Sequence, residues 1–558
     1  MNLVSRTHPS IAAAIGGVLA LTGGLLVAAG PVTATGATNP PPPAAATCGD
    51  LVGKRIPAGA MSLPTRGGRV TAAAQETAVL DQVVVEFCQV DATLFSVDRS
   101  APDIKMRVDL PNAWNRKAMM YGGGGYNGTI PDLEADVPYG PASAKLPLAR
   151  GYAMFGSDSG HQADPAKHPV SSLDGSFGTN DEALRNFAAG DALKKTRDAA
   201  LFLIRAGYGR EPRLTYFVGG STGGREALNV AQRWPRAFDG VISVYPAWDN
   251  AAEILYLGHL AQVLSRPGGF PGPEKQTLLY ESVMTACDGK DGLQDEVISN
   301  LRGCHYDPRA LRCPDGLDAG PQCLSDRQIR SVIAMSSPWK WPYRLASGER
   351  SYPGFPFLSG ADMTTGLLGF GQTAPDHPMP LTAGYGLQFW DQWVRYFVTR
   401  KPGFNSLSLD PQRPGRWLGR ISRLSTLQDR NNADLRPFAR AGGKLLMVHG
   451  AADELVSHRS ASRYYKRVRA ILGPRQTRQF MRYYLIPGAN HGNITPAFTA
   501  QWDSLTALER WVEKGTAPRK QVVFDGGTPR SRPLCEFPSW PRYRSGNPDR
   551  AASFVCRR

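Results

Sequence analysis

Residues 214–234 constrain the fold more than any other stretch of this chain. An apolar run, Leu214 to Val218, ends in Gly219-Gly220-Ser221-Thr222-Gly223, and a helix-forming stretch, Arg225 to Trp234, follows at once. That order is the setting of a nucleophile elbow, in which glycines permit a tight turn that exposes the serine hydroxyl between a strand and a helix.

The rest of the chain keeps the same rhythm. Met106 to Leu110, Lys117 to Tyr121 and Tyr152 to Phe155 read as strands, followed by a helix from Phe187 to Ala206. Strand Gly240 to Val244 comes after the elbow. Much later come strand Lys444 to Val448, helix Arg459 to Leu472, strand Arg482 to Ile486 and a terminal helix around Phe498 to Val512. Strands alternating with helices imply a mainly parallel sheet covered on both faces, so the class is α/β. Between about Ala247 and Arg436 the rhythm breaks into turn-rich, Trp-rich sequence such as Pro338-Trp339-Lys340-Trp341-Pro342 and Phe389-Trp390-Asp391-Gln392-Trp393. We read residues 247–436 as an inserted lid domain that divides a catalytic domain into parts 48–246 and 437–558. Its aromatics are in the first instance core residues.

Residues 1–36 carry Arg6, then an apolar run from Ile11 to Ala29, then the small residues Val32, Thr33 and Ala34, which is the order of a signal peptide. An uncleaved anchor is the alternative, since the run approaches the roughly 20 residues that span a bilayer. Residues 37–47, with Pro40 to Pro43, read as an extended linker. Export would bring the eight cysteines into an oxidising compartment, where they form sequence-local disulfides: Cys48 with Cys88, Cys287 with Cys304, Cys313 with Cys323, and Cys535 with Cys556. No C-x-x-C pair or clustered histidine suggests zinc. The formal net charge of +16 would favour acidic surfaces, but the basic residues are scattered and no nucleic-acid-binding motif accompanies them. We expect no nucleic-acid partner and no stable membrane association once the signal is removed.

A serine hydroxyl needs an imidazole base and a carboxylate that fixes the imidazole tautomer. The order Ser, Asp, His is present. Strand Lys444 to Val448 runs into His449-Gly450-Ala451-Ala452-Asp453, and strand Arg482 to Ile486 into Pro487-Gly488-Ala489-Asn490-His491-Gly492. Ser221, Asp453 and His491 are therefore the candidate triad; His449, and more weakly His161 and His458, are the rival histidines. The Thr222 N–H and the loop Gly122-Gly123-Gly124-Gly125, through Gly124 and Gly125, are the candidate oxyanion donors. A phosphate-binding reading of that loop lacks the lysine and the helix it would need.

At Gly-Ser-Thr-Gly-Gly-Arg (220–225), Ser157-Asp158-Ser159-Gly160-His161, Phe-Asp-Gly-Val-Ile (238–242), Gly-Gly-Lys-Leu-Leu (442–446) and the Asp453 and His491 loops, the chain resembles the tannase and feruloyl esterase family. The resemblance runs from about Cys48 to Cys556. It implies an α/β-hydrolase fold, a small aromatic ester as substrate and hydrolysis of phenolic carboxylic esters such as feruloyl, galloyl or terephthalate monoesters. It also implies a structural Ca²⁺ in the lid, held by Asp288, Asp291, Leu293, Asp295 and Val297, carboxylates alternating with backbone carbonyls. One departure stands out. The family pattern has disulfide-linked cysteines just before the nucleophile and just after the histidine, where this chain has Gly220 and Gly492. The His491 loop must then be held by packing. A serine peptidase of the same fold and a non-catalytic, surface-binding relative are the competing readings.

Overall fold

The structure is a computed structural model that describes residues 46–80, 82–364, 368–494 and 496–558. The signal-peptide reading and nearly all of the linker reading fall outside these residues.

Among the described residues, ten strands form one mixed sheet. They are β1 (Arg55–Ile56), β2 (Gly68–Leu80), β3 (Val83–Leu94), β4 (Ile104–Pro111), β5 (Lys117–Tyr121), β6 (Ala153–Ser157), β7 (Leu214–Gly220), β8 (Gly240–Val244), β9 (Lys444–Gly450) and β10 (Met481–Ile486). The spatial order is β1-β2-β3-β4-β6-β5-β7-β8-β9-β10. From β6 to β10 every pairing is parallel, whereas β1 to β4 and the β4–β6 pair are antiparallel. The sheet is thus more mixed than the strand–helix rhythm implies.

Side chains of the parallel strands alternate between two cores, because successive residues of a strand point to opposite faces. Met120, Phe217, Val241 and Leu445 meet helices α1 (Asp191–Tyr208), α2 (Thr222–Arg233) and, further along, α3 (His458–Leu472) through Leu203, Leu228 and Tyr464. Their neighbours Met119, Tyr216, Ile242 and Leu446 meet α4 (Ser504–Lys514) through Leu505, Leu508 and Trp511. Covered on both faces, these strands are predominantly apolar rather than regularly alternating with polar residues.

Two boundaries differ from the sequence reading. The helix expected from Phe187 is interrupted: a π-helical turn, Arg185–Ala189, ends at Gly190, whose φ of 75° breaks the helix before α1 begins. The terminal helix starts at Ser504, because Ala500–Gln501 is spent pairing antiparallel with Phe524 and Asp525.

The described residues between β8 and β9 add helices but no strand to the main sheet. Chief among them are α5 (Asn250–Leu264), α6 (Pro273–Cys287), α7 (Asp326–Ser336), α8 (Tyr385–Gln392) and α9 (Leu418–Gln428). A third core gathers here around Trp390, Trp393 and Phe397, and it also takes in Tyr126, Phe177 and Phe187 from the first part of the chain. The disulfides are Cys48–Cys88, Cys287–Cys304, Cys313–Cys323 and Cys535–Cys556. No helix among the described residues is long and apolar enough to cross a membrane.

Candidate active site

β7 delivers Ser221 at the start of α2 with φ 59° and ψ −120°, a conformation that a non-glycine residue holds only when its surroundings enforce it. The Ser221 N–H donates to the Val244 carbonyl at 3.1 Å, and the Ser221 carbonyl accepts from Arg225 N–H at 3.0 Å. Tight packing needs the glycines: a Cβ on Gly223 would lie 2.7 Å from the Gly123 carbonyl oxygen.

β9 and β10 deliver the other two residues. His491 Nδ1 lies 3.0 Å from Asp453 Oδ2 and 3.2 Å from Oδ1. A carboxylate only accepts, so Nδ1 carries the proton and Nε2 is left with its lone pair. Neither Nε2 nor Ser221 Oγ takes a hydrogen bond among the described residues. Asp453 is fully buried and its Oδ1 accepts from Leu455 and Val456 N–H at 3.0 and 2.7 Å. His449 approaches the same carboxylate, with Nε2 3.1 Å from Oδ2 and 2.9 Å from the Val456 carbonyl. Asp453 therefore joins two imidazoles, of which His449 is spent on bracing the loop.

Burial works to raise the Asp453 pKa, but His491 and the hydrogen bond from His449 outweigh it and hold the group well below the usual carboxylate range. Burial likewise works against a charged His491, and the Asp453 and Glu454 carboxylates overcome it, raising the pKa above its ordinary value. Glu454 is missed by the sequence reading. It accepts the His491 N–H at 3.2 Å, and burial together with the adjacent Asp453 charge pushes its pKa to about 8.

Tyr245, also missed, packs on both Gly220 and the His491 ring. Its ring centroid is 4.5 Å from that of His491, and a Cβ on Gly220 would lie 2.6 Å from the same ring. The missing cysteine and the tyrosine thus account for each other. Nothing in the sequence pointed to Tyr245, because its contacts are made across strands.

On the oxyanion side, the N–H groups of Thr222, Gly124 and Gly125 donate to no described group, while Thr222 Oγ donates to the Gly125 carbonyl at 2.7 Å. Buried Glu226 braces the loop: its Oε2 accepts from Gly123 N–H at 3.0 Å and its Oε1 from Asn127 Nδ2 at 2.8 Å. A pocket above Ser221 and Thr222 is walled by Ile254, Leu257, Phe389 and Val456, with Asn250 and Glu253 as its polar positions.

A profile for tannase and feruloyl esterase matches residues 88–557. The chain belongs to that family. An uncharacterised esterase of Agrobacterium fabrum is 34% identical over 536 residues, covering 92% of this chain and 94% of that protein. A mono(2-hydroxyethyl) terephthalate hydrolase of Piscinibacter sakaiensis is 27% identical over 533 residues, covering 84% and 85%. Feruloyl esterase B of Aspergillus oryzae shares the fold with a TM-score of 0.73 at 22% identity, covering 88% of this chain and 97% of that one. This tannase-family protein is accordingly a carboxylic ester hydrolase with an α/β-hydrolase fold.

The five residues expected from the sequence to hold calcium lie in the turn after α6. Asp288 Oδ1 is buried without a partner, and its Oδ2 accepts from Glu296 N–H at 2.9 Å. Asp291 accepts from Leu293 and Ser299 N–H, and the Leu293 and Val297 carbonyls accept no hydrogen bond among the described residues. Asp295 is instead paired with Arg532, and its carbonyl accepts from Arg530 Nη1 at 2.7 Å. No group of three side-chain ligands is gathered closely enough for a metal among the described residues.

Proposed function

We propose that this chain is a secreted serine esterase that hydrolyses aromatic, phenolic carboxylic esters through an acyl-enzyme. The observation that carries the reading is His491, held through Nδ1 by buried Asp453, together with Ser221 in the elbow conformation at the end of a strand of the same sheet. Ser221 Oγ attacks the ester carbonyl as its proton passes to His491 Nε2. The developing oxyanion is taken by the N–H groups of Thr222 and of Gly124 or Gly125, which are fixed before the reaction. Collapse breaks the bond to the alkoxy oxygen, which leaves with the proton from His491. Water then attacks the acyl-enzyme, with His491 again as base, and releases the acid. The names of the relatives support an aromatic acyl group, and four disulfides support export.

A structural Ca²⁺ belongs to the same proposal. Asp288 Oδ1 and Asp291 with the Leu293 and Val297 carbonyls would hold it, and Asp295 would complete the set on leaving Arg532. Bound there, the ion would tie the turn after α6 together; it takes no part in the reaction.

The test is hydrolysis of methyl ferulate, methyl gallate, mono(2-hydroxyethyl) terephthalate and p-nitrophenyl acetate by wild type and Ser221→Ala in calcium-containing buffer. Wild type cleaves at least one aromatic ester, and Ser221→Ala loses about 10³-fold or more of that rate. A folded wild type that cleaves none of them would return the chain to the binding-protein reading.

A further inference from the structure

The pocket above Ser221 contains a carboxyl group that the triad does not use. Glu253 lies one turn into α5, is only 4% exposed, and lines the same pocket as Ser221 and Thr222. Its Oε1 is fixed by the Tyr352 hydroxyl, which donates at 2.9 Å while accepting from Ser457 N–H at 3.1 Å. Oε2 has no hydrogen-bond partner among the described residues. Asn250, three residues earlier and so on the same helix face, accepts from Gln428 Nε2 through its Oδ1 at 2.8 Å, and its amide nitrogen has no partner among the described residues. Around this polar pair the walls are apolar: Ile254, Leu257, Phe389 and Val456.

The charge around Glu253 is as informative as the shape. Burial, together with the Asp249, Asp453 and Asp429 carboxylates, raises its pKa well above the ordinary value. Of the guanidinium groups nearby, Arg463 is committed to Asp249 at 2.5 Å and Glu349 at 3.6 Å, and buried Arg225, which also feels the Glu253 and Asp429 charges, is stacked on the Phe187 ring. Any further negative charge entering this pocket meets the same lost hydration and the same neighbours.

We propose that Glu253 and Asn250 form a specificity pair selecting esters whose aromatic ring bears an uncharged hydroxyl or ether substituent, and excluding rings that bear a carboxylate. A phenolic or ether oxygen accepts from the Asn250 amide and from the proton that the raised pKa keeps on the Glu253 carboxyl, and a phenolic hydroxyl can donate as well, once the ring has displaced water. An unsubstituted ring desolvates the pair and leaves it unpaired, which costs binding. A terephthalate monoester brings a carboxylate into a pocket that already disfavours one. The proposal rests on Ser221 as the nucleophile and narrows the substrate class of that site.

The experiment compares kcat/KM for methyl 4-hydroxybenzoate, methyl benzoate and monomethyl terephthalate in wild type, Glu253→Gln and Glu253→Leu. Wild type prefers the hydroxylated ester to methyl benzoate by roughly tenfold, the worth of one well-placed hydrogen bond, and ranks monomethyl terephthalate last. Glu253→Gln keeps the hydroxyl preference and Glu253→Leu brings the ratio to about one. Preference for the carboxylated ester, or an undiminished hydroxyl preference in folded Glu253→Leu, overturns the proposal. If Glu253→Leu does not fold, the wild-type ranking decides alone. Hydrolysis of p-nitrophenyl acetate by wild type but not Ser221→Ala checks the nucleophile separately. Aromatic-ester hydrolysis that survives in Ser221→Ala sinks both readings, whereas Ser221-dependent hydrolysis with the wrong ranking sinks only this one.

Discussion

Tyr245 shows how one side chain can take over the work of a covalent staple. Its ring packs on His491 and fills the space a side chain at 220 would need, so restoring the family's cysteines should clash with it. Gly220→Cys/Gly492→Cys is expected to lose activity, and adding Tyr245→Ala to relieve the clash and recover part of it; kcat with a count of free thiols checks this. The raised His491 pKa has a direct kinetic counterpart. The base must be neutral, so activity is lost as pH falls through the folded pKa, and the acid limb of kcat/KM should lie above the ordinary value of 6.5. Asp453→Asn removes the charge that holds the proton on the ring: the limb should move to lower pH and kcat fall by about 10⁴-fold. The three candidate triad residues were legible because each follows an apolar strand in the order the elbow requires. Tyr245, Glu454 and Glu253 were not, because they meet the triad or its pocket only through folding.

At the scale of elements, legibility followed burial. The parallel strands are continuous apolar runs, and their positions were read to within a few residues. The β2–β3 hairpin was missed because most of β2, such as Thr71, Glu76 and Thr77, is exposed and leaves little hydrophobic pattern. The turn after α6 invites the next experiment. With Asp288 Oδ1 buried and unpartnered, that turn carries an unmet acceptor that a bound cation would satisfy. Chelation followed by Ca²⁺ titration should raise the thermal midpoint, since a ligand bound only to the folded state stabilises it by about 2.7 kcal/mol at 100 times its Kd. Asp288→Ala should abolish the increment while the Cys287–Cys304 bond still closes the turn. A midpoint that does not respond to Ca²⁺ in wild type would count against the ion.

Over the whole molecule, the sequence divides the chain more sharply than its packing does. Residues 247–436 read as an insertion, yet Phe397 within them packs against Tyr126 and Phe177 from the first part of the chain, at centroid distances of 5.2 and 5.3 Å. Tyr126 also donates from its hydroxyl to the Phe389 carbonyl at 3.1 Å, and it directly follows the Gly122–Gly125 loop. The aromatic core of the inserted segment is therefore continuous with residues that support the candidate oxyanion donors. Sequence pattern cannot display this, because a Trp or Phe reads alike whether it fills a private core or a shared one. If the core is shared, the two parts unfold together, and calorimetry of wild type should give one endotherm. Phe397→Ala empties a fully buried ring position at the junction and should cost about 3–5 kcal/mol. The single endotherm should move down as a whole, and turnover should fall because Tyr126 loses a neighbour that holds the glycine loop in place. A separate low-temperature transition in Phe397→Ala, with turnover intact, would mean that the inserted segment is an autonomous domain.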